Sequence, residues 1–391
     1  MAKVFILPGK EKRVLSGHPW VYRAEVREVK GDFEPGDVVE VYDARNRFLG
    51  RGYANPASQI FIRLLTRRQD EAVDREFFRR RLETAANYRC KVVQNTNAWR
   101  LVNAEADFLP ALVVDRYGDC LVVQFLALGI ERFKSEIVGL LVELFNPRGI
   151  YERSDVSVRE REGLTPVAGP LYGEVPQSVE IEEYGVCFRV DLHTGQKTGF
   201  FLDQRENRRA VAELALGARI LDCFCYTGGF AVSAACGGAA SVVGLDASGS
   251  ALTLAAENAA LNSVAEKCVF YEANCFDELR RLADAGTRFD MIILDPPAFT
   301  KSKEALPGAL RGYKEINLRA MKLLPPGGYL VTCSCSYHLT EDLFLDVVAA
   351  AACDARRTLR LIEVRRQARD HPMLLAAPET YYLKCGIFQV F

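Results

Sequence analysis

The sequence predicts an α/β protein in which a mainly parallel sheet of seven strands follows a small β-barrel and a central α+β region. Three observations support this fold class. Residues 1–70 carry short alternating segments and turn residues without a long helical pattern. Residues 71–185 combine a basic helical pattern with a hairpin pattern. From residue 218 onward, strand-like and helix-like segments alternate, which is typical of a doubly wound sheet. We therefore expect three domains, over 1–70, 71–185 and 186–391.

The first predicted domain is a series of strands separated by turns. Residues 34–37 and 43–46 are rich in Gly, Pro, Asp and Asn, which favour turns. The segment 38–42 between them alternates as a half-buried strand does, and 48–53 continues the pattern. A small β-barrel fits these short elements.

The central domain begins with a basic helix over 71–91, whose arginines 75, 79, 80 and 81 lie off its apolar face. A hairpin over 111–125 and a helix over 132–145 follow. The stretch 160–179 has three prolines and three glycines, and we interpret it as the approach to the last domain.

The last domain contains seven predicted strands and five predicted helices. The strands are 219–222, 241–246, 268–271, 289–295, 328–335, 359–365 and 382–391. The helices are 229–236, 248–262, 276–283, 309–324 and 341–352. Alternating units of this size indicate a mainly parallel sheet.

The charge of the chain is unevenly distributed. Its 391 residues include 50 Lys and Arg against 51 Asp and Glu, and its hydrophobic fraction of 49% excludes a wholly disordered or fibrous chain. Residues 1–100 have a balance of +7, however, and the remainder a balance of −8. This asymmetry suits a module that faces nucleic acid beside an acidic enzymatic domain.

The termini and cysteines indicate a cytoplasmic protein without membrane or metal. The apolar run before Pro8 is too short for a signal peptide, and no segment approaches the ~20 apolar residues of a membrane span. The twelve cysteines form no CxxC pair. Two CxC pairs occur, at 223/225 and 333/335, but without a second-pair spacing we expect no metal site.

Polar residues stand at the predicted carboxyl ends of four strands, where open α/β sheets bind ligands: Asp222, Asp246, Asn274 and Asp295. The first strand–loop–helix turn is not GxGxxG, and a carboxylate at Asp222 would repel a pyrophosphate. It suits a ligand that carries an ammonium and a sulfonium group, and Asp246 can accept hydrogen bonds from ribose hydroxyls. These features predict a pocket for S-adenosylmethionine. Alternatively, both aspartates are only helix caps and turn residues.

Asp295 is followed by Pro296 and Pro297, which fix the backbone and hold the carboxylate at the crevice. We interpret Asp295 as a substrate-binding residue rather than a bare strand terminator. The following loop contains Lys301 and Lys303, which either contact phosphate or are simply solvated.

The fifth strand carries two cysteines that point the same way, Cys333 and Cys335. Strand thiols are usually inert core residues. Only Cys335, at the carboxyl end, would reach the crevice, and a catalytic and a structural role for it are equally compatible with its position.

At these residues the chain resembles the PUA-domain-containing, RlmI-like large-subunit ribosomal RNA methyltransferases, which make 5-methylcytidine. The similarity rests on LDCFCYTGGF (221–230), LDPPAFTKSK (294–303) and TCSCS (332–336). It extends to HTGQKTGFFLDQR (193–205), to His371-Pro372, and to the N-terminal GKEKR (9–13) and GHPWVY (17–22).

The resemblance implies a Rossmann-like class I methyltransferase domain behind a PUA module, large-subunit ribosomal RNA as partner, and a homodimer as a further candidate partner. It implies Cys335 as the nucleophile that adds to cytosine C6, with Asp295 on the base, and leaves Cys333 as competitor. It assigns cofactor contact to Lys197, Thr198, Phe200, Asp222, Phe224, Tyr226, Gly228, Asp246, Ser248, Asn274, Cys275 and Asp295. It assigns RNA contact to Lys12, Arg13, His18, Trp20, Arg23, Lys301 and Lys303.

Two positions depart from related patterns. Asn274 stands where an aspartate more often holds the adenine amino group, and Ala298 stands where better-known RNA cytosine-C5 methyltransferases have a second cysteine. Two other functions remain open on the sequence: methylation of an exocyclic base nitrogen, which needs no thiol, and a non-catalytic RNA-binding assembly factor.

Overall fold

The computed structural model describes residues 1–300, 302 and 304–391, and the chain divides into two compact units. The first unit comprises residues 1–181, 190–202 and 369–380. The second comprises residues 182–189, 203–368 and 381–391. Each unit is described separately.

The N-terminal part of the first unit is a six-stranded sheet in the order β2-β6-β5-β4-β1-β3. Its strands are β1 (Lys3–Ile6), β2 (Trp20–Tyr22), β3 (Val26–Lys30), β4 (Val38–Tyr42), β5 (Phe48–Ala54) and β6 (Ile60–Thr66), with the short helix α1 (Glu11–Leu15) after β1. Both predicted turns are present. In the first, Asp37 accepts the backbone N–H of Glu34. In the second, Asp43 accepts that of Arg45, which is an Asx turn, and also that of Arg47.

The central part is a five-stranded sheet in the order β11-β10-β9-β8-β7, covered by helices. Its strands are β7 (Ala98–Asn103), β8 (Leu112–Tyr117), β9 (Cys120–Phe125), β10 (Gly149–Ser154) and β11 (Val167–Gly173). Its helices are α2 (Arg75–Val92), α3 (Leu128–Arg132) and α4 (Lys134–Phe145). The helix predicted over 132–145 is α4 to within two residues, whereas the short helix α3, which ends where α4 begins at Phe133, was not predicted. Strand β11 lies within the stretch 160–179, where the sequence predicts a connection to the last domain. Its Pro170 is tolerated because β11 is an edge strand.

The two sheets of the first unit are joined through the buried carboxylate of Glu162. It accepts hydrogen bonds from Ser58 Oγ at 2.6 Å and Asn55 Nδ2 at 3.1 Å, and it pairs with Arg63 at 3.1 Å. Because a buried charge must be paired and hydrogen-bonded to be tolerated, these contacts hold the six-stranded sheet to the segment between β10 and β11. A further two-stranded sheet consists of β12 (Ser178–Glu183) and β13 (Val186–Asp191).

The second unit is a seven-stranded sheet in the order β16-β15-β14-β17-β18-β20-β19, which confirms the predicted fold class. Its strands are β14 (Arg219–Cys223), β15 (Ser241–Asp246), β16 (Cys268–Glu272), β17 (Met291–Leu294), β18 (Tyr329–Ser334), β19 (Leu359–Arg365) and β20 (Lys384–Val390). Its helices are α5 (Arg205–Glu213), α6 (Gly229–Cys236), α7 (Gly249–Leu261), α8 (Cys275–Asp284), α9 (Leu306–Leu323) and α10 (Glu341–Ala355). The predicted elements agree to within a few residues; α9 begins three residues earlier than predicted, with a proline in its first turn, where the missing N–H costs nothing.

Strands β16, β15, β14, β17 and β18 pair in parallel, whereas β20 runs antiparallel to both of its neighbours. The apolar residues of the central strands are fully buried, among them Leu221, Ile292 and Leu330. The strand order reverses between β14 and β17, so a crevice is expected beyond the carboxyl ends of these two strands. Among the described residues, no helix combines the length and apolar composition needed to cross a bilayer.

Candidate active site

The carboxylate at the end of β14 is fully buried and only half satisfied. Asp222 Oδ2 accepts the backbone N–H of Ala231 in α6 at 3.0 Å, whereas Oδ1 has no hydrogen-bond partner among the described residues. Burial raises the pKa of Asp222 well above its ordinary value, and the negative charge of nearby Asp295 raises it further. A buried carboxylate with a free oxygen, next to a second carboxylate, is stabilised by a cation.

The loop between β14 and α6 is held in an unusual backbone conformation. Phe224 and Tyr226 have φ of 66° and 49°, in the left-handed region that residues with a Cβ seldom adopt. Gly228 caps α6 at φ 80°, and a Cβ there would lie 3.1 Å from Ala255 Cβ. Such conformations cost about 1–3 kcal/mol each at non-glycine residues and cluster at ligand sites.

Asp246, at the end of β15, is tied to this loop. Its Oδ2 accepts the backbone N–H of Tyr226 at 2.9 Å, and its Oδ1 accepts that of Ser248 at 3.0 Å. Ser248 in turn caps α7, accepting the N–H of Ala251. The carboxylate is therefore rigid but half-buried, and because each oxygen has a second lone pair, it can still accept hydroxyl donors.

Beyond β16, the exposed Asn274 is the N-cap of α8, and its Oδ1 accepts the N–H of Phe276 at 2.9 Å. The amide oxygen that was predicted to meet an adenine amino group thus already has one donor. The thiol of Cys275 is buried and lies 3.8 Å from the carbonyl of Leu245. Its side chain belongs to the core, so only its backbone is available to a ligand.

The three remaining predicted cofactor residues belong to the first unit. The ammonium of Lys197 lies 4.6 Å from the ring centroid of Phe201. Thr198 donates to Asp115 at 2.6 Å, and the side chains of Thr198 and Phe200 are buried.

Asp295 follows β17 directly and is half-buried, with its backbone N–H donated to the carbonyl of Cys223 at 3.3 Å. Four aromatic residues lie beside it and contact one another. Phe299 lies 4.6 Å from Tyr313 and 5.6 Å from Phe276 between ring centroids, and Phe224 lies 6.5 Å from Phe299. Tyr313 is fully buried, whereas the three phenylalanines are half-buried and form an apolar, aromatic wall that suits the flat face of a nucleobase.

The two cysteines of β18 differ in environment. Cys333 is fully buried and faces Cys385 across the sheet; its hydrogen bond to that thiol, together with burial, raises the pKa of Cys333 well above the ordinary value. Cys335 lies just past the strand, is half-buried, and its Sγ is 3.9 Å from the carbonyl oxygen of Pro296. Cys335 is thus beside the Asp-Pro-Pro segment, whereas Cys333 lies in the core.

Two buried side chains near Cys335 were missed from the sequence. Tyr313 of α9 accepts a hydrogen bond from Ser334 Oγ at 2.9 Å, and Lys384 of β20 is 1% exposed. A tyrosine in an amphipathic helix and a lysine in a strand carry no local signal of this placement. All twelve cysteines are free thiols, and among the described residues no group of three or more His, Cys, Asp or Glu is arranged to hold a metal ion.

The predicted RNA contacts of the first unit are partly exposed. Lys12 and Arg23 are exposed, and Arg13 pairs with Glu25 at 2.7 Å. His18 is 3% exposed and lies 3.3 Å from Glu379.

Trp20, another predicted RNA contact, is half-buried and donates Nε1–H to Glu105 at 3.0 Å. Lys301 and Lys303 lie outside the described residues. In helix α2, Arg75 and Arg79 both pair with Glu143.

Comparisons with known proteins agree with this fold and crevice. The model of the S-adenosylmethionine-dependent methyltransferase family matches residues 158–375, and that of the PUA-like domain matches residues 4–67. A structure described as a SAM-dependent methyltransferase from Streptococcus mutans has a TM-score of 0.86 at 22% identity and covers 100% of both chains. A methyltransferase structure complexed with SAH has a TM-score of 0.87 at 22% identity over 100% of both chains. At this identity, the two structures show the fold alone.

Fold, crevice and family model together define an S-adenosylmethionine-dependent methyltransferase. The residues present fit that cofactor, because Asp222 offers a cation a buried oxygen that has no partner in the described part of the chain, and Asp246 offers half-buried oxygens to hydroxyls. Ribosomal RNA large subunit methyltransferase I of Tolumonas auensis is 47% identical over 97% of each chain. The protein of the same name from Shewanella denitrificans is 45% identical over 100% of this chain and 99% of its own. The chain belongs to the ribosomal RNA large subunit methyltransferase I family.

Proposed function

We propose that this methyltransferase modifies carbon 5 of a cytosine in large-subunit ribosomal RNA, in the cytoplasm, with Cys335 as the nucleophile. The observation that carries the proposal is the placement of a half-buried thiol beside the Asp295-Pro-Pro segment. The names of the relatives supply the substrate class.

Cys335 performs the activating step. Carbon 5 of cytosine is a poor nucleophile; when the thiolate forms a bond from Sγ to C6, electron density moves onto C5. Asp295 forms a hydrogen bond with the edge of the cytosine and stabilises the charge that develops at N3. S-adenosylmethionine, when bound, would supply an electrophilic methyl group on its sulfonium, which C5 takes up as S-adenosylhomocysteine departs. The C5 proton then leaves to a base, and the Sγ–C6 bond breaks to release Cys335.

The site also restricts how RNA reaches it. A paired, stacked cytosine cannot present C6 to a thiol, so the base must be unpaired or flipped out. The aromatic wall of the half-buried Phe224, Phe276 and Phe299 offers the stacking surface for such a base. Exposed Lys12 and Arg23 in the PUA-like domain provide phosphate contacts.

The test is covalent trapping. The protein is incubated with S-adenosylmethionine and ribosomal RNA containing 5-fluorocytidine, which cannot lose a C5 proton, and the mixture is run on a denaturing gel. We expect a covalent complex in the wild type and in Cys333→Ala, and none in Cys335→Ala.

Three results would contradict parts of the proposal. Unchanged turnover in Cys335→Ala, with the product methylated on an exocyclic nitrogen by nucleoside mass spectrometry, would establish the thiol-free reaction instead. A complex lost only in Cys333→Ala would identify Cys333, rather than Cys335, as the nucleophile. Absence of cofactor binding by calorimetry would favour an RNA-binding assembly factor. The predicted homodimer is checked separately, by sedimentation of the full chain.

A further inference from the structure

A lysine is buried next to the proposed nucleophile and has no part in the mechanism above. Lys384 is the first residue of β20, and its backbone pairs with Ser334, the last residue of β18. Cys335 is the next residue along the chain. Lysine is almost never fully buried without a partner, so a lysine that is 1% exposed at this position requires an explanation.

The ammonium is held by backbone groups on either side of it. Lys384 Nζ donates to the carbonyl of Ser336 at 2.6 Å and to that of Tyr382 at 2.9 Å. Because the lysine backbone is opposite Ser334 while its Nζ reaches Ser336, the side chain extends along the segment that contains Cys335. Both acceptors are neutral carbonyls, which orient the ammonium without neutralising its charge.

The charged and titratable groups near this ammonium include Tyr381, whose ring centroid is 5.7 Å from Lys384 Nζ, and Glu341. Glu341, at the start of α10, accepts hydrogen bonds from Tyr381 Oη and from Arg366 at 3.3 Å. Burial lowers the pKa of Lys384 to about 8, and the negative charges of Cys335 and Glu341 oppose that fall.

Cys335 is also near α9 and the end of β17. Burial raises the pKa of Tyr313, and the negative charges of Cys335 and Asp295 raise it further. Glu341 shares its charge with Arg366, whereas Cys335 lies on the 334–336 segment along which the side chain of Lys384 extends. The thiolate of Cys335 is therefore placed to interact with the buried ammonium of Lys384.

We propose that Lys384 is a positioning residue whose buried ammonium stabilises the thiolate of Cys335. The thiol proton leaves to solvent and the ammonium keeps its own protons, so the pair consists of Sγ⁻ and NζH₃⁺. The inference rests on the proposed function in taking Cys335 as the nucleophile. It adds the group that keeps this nucleophile ionised near neutral pH, since a thiolate, not a thiol, is the reactive form.

The experiment measures alkylation of Cys335 by iodoacetamide, in which the thiolate displaces iodide. The full chain is used without RNA or cofactor, and the Cys335 peptide is quantified by mass spectrometry between pH 6 and pH 10. The variants are Lys384→Met, which removes the charge, Lys384→Arg, which keeps it, and the matched control Lys322→Met, which removes an exposed charge of α9.

In Lys384→Met we expect alkylation at pH 7 to be at least about tenfold slower, because a neighbouring opposite charge shifts an acid equilibrium by ~1–3 pH units. The difference in rate from wild type disappears near pH 10, where the thiol of Cys335 ionises without the charge of Lys384. Lys384→Arg stays within about threefold of wild type, and Lys322→Met is unchanged. Equal rates in wild type and a folded Lys384→Met would overturn the proposal. So would a loss in Lys384→Arg as large as in Lys384→Met.

If Lys384→Met does not fold by circular dichroism, Lys384→Gln replaces it, because a glutamine removes the charge but keeps N–H donors for the carbonyl of Ser336. We expect the same loss of at least about tenfold at pH 7; a rate within about threefold of wild type would overturn the proposal. Because alkylation needs neither RNA nor cofactor, the two proposals fail separately. Covalent trapping through Cys335 with an alkylation rate independent of Lys384 refutes only the role of the lysine. Lysine-dependent alkylation without trapping refutes only the cytosine reaction.

Discussion

Asp222→Asn tests the cofactor pocket because it removes one negative charge and preserves the shape of the side chain. The carboxylate is fully buried, with Oδ2 on the N–H of Ala231 and Oδ1 without a partner among the described residues. We expect opposite effects of the substitution on cofactor affinity and on the stability of the free protein. A residue that only capped α6 would not produce this combination.

The loss of affinity follows from the lost charged hydrogen bond. A hydrogen bond to a charged group contributes about 1.5–3 kcal/mol, and each 1.4 kcal/mol corresponds to a tenfold change in Kd. We therefore expect the Kd for S-adenosylmethionine, measured by isothermal titration calorimetry, to rise by roughly 10- to 150-fold. Asp284→Asn, the same change at the exposed end of α8, is the matched control and should bind as wild type does.

The gain in stability follows from the raised pKa of Asp222. The folded protein keeps the proton to a higher pH than the unfolded chain does, so the free energy of unfolding falls as pH rises above about 4, the unfolded pKa. The Asp222→Asn variant has no carboxyl group to ionise at this position, so its free energy of unfolding does not fall with pH in this way. A buried, unsatisfied polar group costs about 1–3 kcal/mol, and Tm shifts by ~2–4 °C per kcal/mol in a unit of this size.

We therefore expect the cofactor-free variant to melt several degrees above wild type at pH 7, with the difference shrinking towards pH 4. Calorimetric scans at the two pH values measure it. Cofactor affinity within threefold of wild type, combined with an unchanged or lower Tm at pH 7, would refute the reasoning about the buried charge.

Three further predictions concern other parts of the chain. Gly228→Ala forces a Cβ into a left-handed position against α7, so we expect a loss of about 1–2 kcal/mol by urea unfolding and weaker cofactor binding; unchanged unfolding would show that the loop relaxes freely. Arg208→Met leaves the buried carboxylate of Glu183 without its 2.7 Å partner and should cost about 3–5 kcal/mol, seen as a lower Tm. Lys12→Ala and Arg23→Ala should each weaken RNA binding and reduce the salt slope of log K by about one, measured by filter binding; unaltered slopes would place the phosphates elsewhere.

The sequence was sufficient for features that depend on local pattern. Alternation of strand and helix segments predicted the parallel sheet. In such a sheet helices cover both faces, so the strands are apolar throughout and the helices are amphipathic. Parallel strands share one edge at their carboxyl ends, so Asp222, Asp246 and Asp295 could be assigned to one crevice from their positions alone. The local pattern did not predict the helix α3 or the edge strand β11, which lies within the stretch 160–179 interpreted as a connection. A helix of five residues and a strand that contains Pro170 give little periodic signal and depend on packing against their neighbours.

The tertiary structure decided which side chains are buried and what they contact. Cys333 and Cys335 look alike in sequence, but pairing with β20 buries the first in the core and leaves the second at the end of the sheet. Lys384 is nearly fifty residues away in sequence from the cysteine it approaches, and His18 loses its exposure to a contact with Glu379. Such placements depend on contacts between distant segments, and burial and electrostatics arise from those contacts rather than from the local order of residues.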